Sequence, residues 1–155
     1  MIIARTKITD LKEILELQYL AYQSEAKLLN NFEIPPLKQT LDEVEQEYDN
    51  GIILKATSES EKIIGSVRAY VENDTAYIGK LIVHPEKQGQ GIGTRLLQQI
   101  ERGCAAERYE LFTSDKSVRI IRLYEHLGYV KFKEQSISSK LNLVFLEKYA
   151  QPKSP

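Results

Sequence analysis

A single cysteine, Cys104, leaves this chain nothing to pair with in an internal disulfide, and points to a reducing, cytoplasmic setting. Neither sign of charge dominates. Lys and Arg number 21 against 22 Asp and Glu, a formal net charge of −1, without the basic excess of a general nucleic-acid binder. Apolar runs stop far short of the roughly 20 residues a membrane helix needs. The opening Met1-Ile2-Ile3-Ala4-Arg5 turns charged too soon to read as a signal peptide. The two histidines, His84 and His126, lie far apart without ligand spacing, so no metal is expected. Repeats, linkers and low-complexity tracts are lacking too. A single soluble domain over residues 1–149 is the expectation, with 150–155 as a loose tail.

What is present is concentrated between Leu81 and Thr94. The apolar Leu81-Ile82-Val83 stops at His84-Pro85, and Gln88-Gly89-Gln90-Gly91-Ile92-Gly93-Thr94 opens into Arg95-Leu96-Leu97. That is a strand, a glycine-rich loop and a helix. The first N–H groups of a helix lack partners and carry the positive end of its dipole, so glycines there invite a phosphate. A tight turn without a ligand is the plainer reading, but three glycines in five positions exceed what one turn requires. The spacing matches neither the G-x-G-x-x-G of dinucleotide folds nor a Walker loop.

Around this stretch the pattern predicts a mixed order of elements. A strand over Ile2–Ile8 leads to a long helix to about Ala26, capped by Asp10 with Glu13 as its box partner. Pro35-Pro36 breaks the helical pattern. Thr40 and Glu43 open a second helix, which Asn50-Gly51 ends in the usual C-cap manner. Strands follow at Ile52–Thr57, Ile63–Glu72 and Thr75–Val83. A tight Asn73-Asp74 turn sets Tyr70 opposite Tyr77 and Arg68 opposite Gly79. On the helix after the loop, Gly93, Leu97, Ile100 and Cys104 share a face, which reads Cys104 as a buried structural thiol two turns inside it. A strand over Arg108–Thr113 and a helix capped by Ser114 or Asp115 and stopped at Gly128 come next. Val130–Ser138 and Leu141–Lys148 close the chain as a hairpin. Such an order implies one α/β fold, a single mixed, partly antiparallel sheet with helices on both faces.

Gln88-Gly89-Gln90-Gly91-Ile92-Gly93 resembles the Gln/Arg-x-x-Gly-x-Gly/Ala signature of the GNAT superfamily of acyl-CoA-dependent N-acyltransferases. Ser117 through Tyr129 resembles that family's Asn-x-x-Ala-x-x-Leu-Tyr-x-x-x-Gly-Phe/Tyr ending, with Ser117 in place of asparagine and Ile120 in place of alanine. The resemblance implies a GNAT-like fold and transfer of an acetyl group from acetyl-CoA, as co-substrate, to a primary amine that attacks directly in a ternary complex. It places the cofactor on Ile82, Val83, Gln88, Gly89, Gln90, Gly91, Ile92, Gly93, Thr94, Ser117 and Tyr124. The backbone around Val83 would polarise the carbonyl, and Tyr124 would serve the leaving thiolate. A core tyrosine on an apolar helix face is the plainer reading of Tyr124.

The acceptor is expected to be a small-molecule or peptide amine, walled by Tyr22, Glu25, Phe32, Glu33, Arg68 and Tyr70. Thr75–Val83 carries no carboxylate to serve as general base. Glu72 is the nearest in sequence, with Glu25 and Glu33 as alternatives. Neither nucleic acid nor membrane is an expected partner, and a homodimer is an open assembly. The competing reading is a non-catalytic acyl-CoA-binding sensor module, which the missing carboxylate and the Ser117 and Ile120 departures keep open and Tyr124 argues against.

Overall fold

The structure is a computed structural model and describes residues 1–151, so the predicted tail from Pro152 on lies outside the described residues. Seven strands form one sheet: β1 (Ile2–Arg5), β2 (Ile52–Thr57), β3 (Ile63–Glu72), β4 (Thr75–Val83), β5 (Arg108–Ser114), β6 (Val130–Ser138) and β7 (Leu141–Tyr149), in the order β1-β2-β3-β4-β5-β7-β6. Every neighbouring pair is antiparallel except β4 and β5, which run parallel. Among the described residues six α-helices accompany them: α1 (Leu11–Ala21), α2 (Gln23–Leu29), α3 (Pro35–Lys38), α4 (Leu41–Asn50), α5 (Ile92–Gly103) and α6 (Val118–His126).

Each face of the sheet is covered by a helix whose apolar residues fall at helical spacing. On one face α5 buries Ile92, Leu96, Leu97 and Ile100 against Leu54, Ala56, Val67 and Ile78. On the other, α1 buries Leu11, Ile14 and Leu15 with Val44 of α4 against Ile53 and Ile82. The expected hairpin forms in the expected register. Asn73 and Asp74 both take positive φ (50° and 62°), the conformation a two-residue turn needs to match strand twist, and Tyr70 stacks on Tyr77 at 5.1 Å.

Several local expectations are corrected. The long first helix breaks at Tyr22, whose ψ of −2° interrupts the ladder between α1 and α2. Its capping pair does not close on itself: Asp10 accepts from Lys7 N–H (2.8 Å) and Lys55 Nζ (2.7 Å), and Glu13 from Ile63 N–H (2.9 Å), which ties the helix start to the sheet instead. Cys104 is buried but follows the last residue of α5 rather than lying inside it. Helix α6 starts after Ser117, while Ser114 Oγ accepts from Lys116 N–H at 3.2 Å in the preceding turn. The Thr40–Glu43 capping box forms as expected.

Gly51 ends α4 in extended backbone rather than the left-handed conformation of an ordinary C-cap. Glycine is needed there for space, because a Cβ would stand 2.3 Å from Ala69 O on β3. Gly51→Ala should therefore lower unfolding free energy by about 1–3 kcal/mol, as overpacking does. Gly103→Ala, where a Cβ meets nothing within 4 Å, should be neutral or slightly stabilising. Urea titration of both variants checks the pair, and equal effects would refute the steric reading.

Candidate active site

The sheet opens where its two parallel strands meet. β4 and β5 pair only at Thr75↔Arg108, Ala76↔Tyr109 and Tyr77↔Glu110. Beyond these, β4 pairs with β3 alone and β5 with β7 alone. The strands diverge toward their carboxyl ends and leave a wedge, with the free edge of β4 from Ile78 to Val83 as one wall. His84 N–H bonds Ile64 O of β3 at 2.8 Å. Successive N–H groups along a strand face opposite sides, so Val83 N–H turns into the wedge.

The glycine loop lies at the mouth. Gly89 and Gly91 take φ of +78° and +80°, and a Cβ at either would meet nothing within 4 Å. Gly91 is also the N-cap of α5, and no side chain caps that first turn. Open glycines around uncapped N–H groups fit a phosphate-bearing ligand. A Cβ on Gly93 would lie 3.7 Å from Val83 Cγ2 and 3.9 Å from Leu123 Cδ2, so this glycine seats α5 between β4 and α6. Gln88 and Gln90 are exposed and Thr94 is half-buried. The side chains of Ile82 and Ile92 are core residues, which leaves their backbone for any ligand.

Across the wedge, α2 and α6 meet. Ser117 Oγ donates to Glu25 Oε1 at 3.2 Å, joining residues 92 positions apart. Burial raises the pKa of Glu25 above the usual carboxylate value, and the Ser117 bond offsets this in part. Burial and the nearby Glu25 carboxylate push the Tyr22 and Tyr124 phenols up, and Tyr124 adds to the effect on Tyr22. Tyr22, Glu25, Ser117 and Tyr124 thus form one cluster. Tyr124 is 6% exposed, and its hydroxyl makes no hydrogen bond among the described residues. Its neighbour Tyr129 differs, donating to Glu101 Oε2 at 2.7 Å.

Other expected site residues are placed elsewhere. Glu72 is corrected as a general base: it pairs with Thr75 at the hairpin end of β4, eight residues or about 26 Å along the strand from Val83. Tyr70 is 50% exposed at that same end, stacked on Tyr77. Phe32 is 49% exposed, and Glu33 pairs with Lys38 on the surface. Arg68 is buried and committed to the scaffold. Its guanidinium donates to Glu47 Oε2 (2.7 Å), Gln39 Oε1 (2.9 Å) and Gln18 Oε1 (2.6 Å), fastening α1 and α4 to β3. Ser117 hydrogen-bonds Glu25 in the structure, where the resemblance pairs it with the cofactor arm.

Two features escaped the sequence reading. Gln18, Gln39 and Glu47 carry no motif, and only the fold gathers them around Arg68. Lys80, by contrast, left a trace: apolar residues alternate through Ala76 and Ile78 and then resume out of phase at Leu81 and Val83. The cause is a bulge, with Lys80 at φ 51° and a register shift against Ser66–Arg68.

A mixed seven-stranded sheet that splays between parallel strands, with a glycine-lined helix start at the opening, defines an acyltransferase-type architecture. The model of the acetyltransferase (GNAT) family matches residues 10–129, and the chain belongs to that family. Among solved structures, the ribosomal-protein-S18-alanine N-acetyltransferase of Escherichia coli superposes with a TM-score of 0.79 at 16% identity, covering 99% of this chain and 96% of its own. An aminoglycoside 6'-N-acetyltransferase complexed with coenzyme A gives 0.76 at 17% identity over 100% of both chains. At these identities the likeness is one of fold. UPF0157 protein YqkA of Bacillus subtilis (strain 168) is 26% identical over 143 residues, 92% of this chain. An uncharacterized N-acetyltransferase, ycf52, of Gracilaria tenuistipitata var. liui is 26% identical over 98 residues, 61% of this chain. The matches span 41% and 53% of those two proteins' lengths. No helix among the described residues is long and apolar enough to cross a membrane.

The raised pKa of Glu25 has a consequence for stability. An acid whose folded pKa exceeds its unfolded value costs stability once it ionises, beginning at the unfolded pKa and reaching the full cost above the folded one. Glu25→Gln keeps an acceptor for Ser117 and removes that charge beside Tyr22 and Tyr124. The variant should match wild type near about pH 4 and exceed it near about pH 8. Urea unfolding at both pH values tests this, and a pH-independent difference would show that the carboxylate is not held at a cost.

Proposed function

We propose that this protein is an N-acetyltransferase that moves an acetyl group from acetyl-CoA to a primary amine of a small molecule or peptide, by direct attack in a ternary complex. The observation that supports it most is the meeting, at one opening of the sheet, of the glycine-lined α5 start, the free N–H of Val83 and the unpartnered hydroxyl of Tyr124. Bound acetyl-CoA would supply an activated thioester. The N–H groups at Gly89–Gly93 would hold its pyrophosphate, the free edge of β4 its pantetheine arm, and Val83 N–H its carbonyl oxygen.

An acceptor amine with pKa about 10.4 is neutral in only about one molecule in 2,500 at pH 7, so a proton must be taken from it. Glu25 is the carboxylate at this opening, and burial makes it a stronger base than an exposed glutamate. As the amine's N–C bond forms and the C–S bond breaks, negative charge moves to sulfur. The Tyr124 phenol is pushed well above tyrosine's usual value, so it keeps its proton and acts as a hydrogen-bond donor to that sulfur. Cys104 takes no part. It lies beyond the far end of α5, whose 12 residues span about 18 Å from the glycine loop.

Acetyl-CoA with a panel of amines, polyamines, amino acids and peptides, followed by released thiol, is the direct test. Cofactor binding without turnover of any amine would favour the sensor reading. Tyr124→Phe should lower kcat by about 10- to 1,000-fold with CoA affinity unchanged, and wild-type turnover would return Tyr124 to core packing. Gly91→Asn keeps a residue tolerant of positive φ while filling the open space, and should weaken CoA binding at least about tenfold by calorimetry. Unchanged affinity would sink the pyrophosphate assignment.

A further inference from the structure

Beside the opening lies a pocket of about 300 Å³ lined by Pro35, Lys38, Gln39, Glu43 and Lys80. Its floor is the β4 bulge, where Lys80 holds a positive φ of 51° without being glycine, asparagine or aspartate. Such a conformation is costly for a long side chain, and backbone strain of this kind clusters at functional sites. Most of the charged groups around the pocket already hold an ion-pair or hydrogen-bond partner. Lys38 pairs with Glu33. The Glu43 carboxylate accepts from Thr40 N–H at 2.9 Å and Thr40 Oγ1 at 3.0 Å. Glu47 takes Arg68 at 2.7 Å and Gln39 Nε2 at 2.7 Å. Lys80 Nζ has no ion pair or hydrogen bond among the described residues. Lys80 is half-buried, and this partial desolvation pushes its pKa below lysine's ordinary value, while the fields of Glu47 and Glu43 act against the shift and that of Arg68 with it. A partly desolvated ammonium without an ion pair gains from a bound anion, which is its natural complement.

The pocket and the catalytic cluster share neighbours. Arg68 and Glu47 act on Lys80 and also on Tyr22, which in turn contacts the fields of Glu25 and Tyr124. Along β4, Lys80 stands three residues before Val83, about 10 Å from the N–H that faces the wedge. From this placement we propose that Lys80 is a specificity residue whose ammonium binds a carboxylate of the acceptor, so that the preferred acceptors are amino acids or short peptides carrying a free carboxylate near the amine that is acetylated. The inference rests on the acetyltransferase reading above. A bare polyamine would set its own cations against Lys80 and leave that charge unmatched. A carboxylated amine answers it and presents its nitrogen toward Val83 and Glu25.

The test compares acceptors of one skeleton: alanine, glutamate and Ala-Ala, their carboxamides, their decarboxylated amines, and spermidine. Calorimetry of each into the CoA-loaded protein reads binding without turnover, and thiol release with acetyl-CoA gives KM and kcat separately. At least one carboxylated member should bind and react about ten- to a hundredfold better than its amide, the range of a charge-assisted hydrogen bond, with the difference in KM. Lys80→Met should erase that ratio while leaving kcat for the amide and CoA affinity within about twofold. Lys80→Arg should restore part of it. Equal use of acids and amides, preference for spermidine, no binding of any carboxylated member to CoA-loaded protein, or an unchanged ratio in Lys80→Met each overturns the inference. Failure to bind CoA at all would instead overturn the acetyltransferase reading on which it rests.

Discussion

Three residue pairs join the two halves of this protein. Thr75, Ala76 and Tyr77 meet Arg108, Tyr109 and Glu110, and among the described residues no other strand pairing links β1–β4 to β5–β7. Because that ladder is parallel and stops early, both strands run on and diverge without bonding to each other. Each then satisfies its backbone on its outer side only, β4 through β3 and β5 through β7. The site is the consequence. A longer ladder would close the wedge and pair Val83 N–H with β5, and a shorter one would leave the halves joined by packing alone.

The helices divide the work around that opening. Helix α5 is both the main buttress of one face and the support of the glycine loop, so its burial of Leu96, Leu97 and Ile100 also fixes where its unpartnered N–H groups point. On the other face, Arg68 draws Gln18, Gln39 and Glu47 into one buried network. The cost of burying a guanidinium is offset in part by Glu47 and by the two amide oxygens, and the network holds the wall formed by α1 and α4 to β3. Breaking one partner would leave a buried charge exposed to low dielectric, so rigidity of that wall depends on all of them. Glu25 and Lys80 sit at the edges of this arrangement, where charge is shielded but not fully matched.

Much of the fold was legible in the chain. The strands β2, β3, β4 and β6 have the bounds that their apolar runs and turn residues indicate, and the Asn73-Asp74 turn set the register of the hairpin. Signals of that kind are local: alternation, a tight turn, a glycine before an amphipathic helix. Helix starts were less legible. Asp10, Glu13 and Ser114 have the side chains of caps, but tertiary contacts recruited Asp10 for Lys55 and Glu13 for Ile63, and the local turn at Lys116 took Ser114. Cap chemistry is short-ranged, and a sheet edge nearby competes for the same oxygens.

The sequence by itself determined the family-like loop and its helix, the hairpin, and Tyr124 as the tyrosine of interest, because each depends on residues a few positions apart. Only the tertiary structure decided which carboxylate stands at the opening. Glu72 is near Val83 in sequence yet lies at the opposite end of an extended strand, where each residue adds about 3.3 Å. Glu25 is far from Ser117 in sequence and bonded to it in space. The unmatched charge of Lys80 was equally hidden. Whether a lysine is paired depends on every acid that folding brings near it, and here Glu33 and Glu47 pair with other cations while Glu43 hydrogen-bonds Thr40.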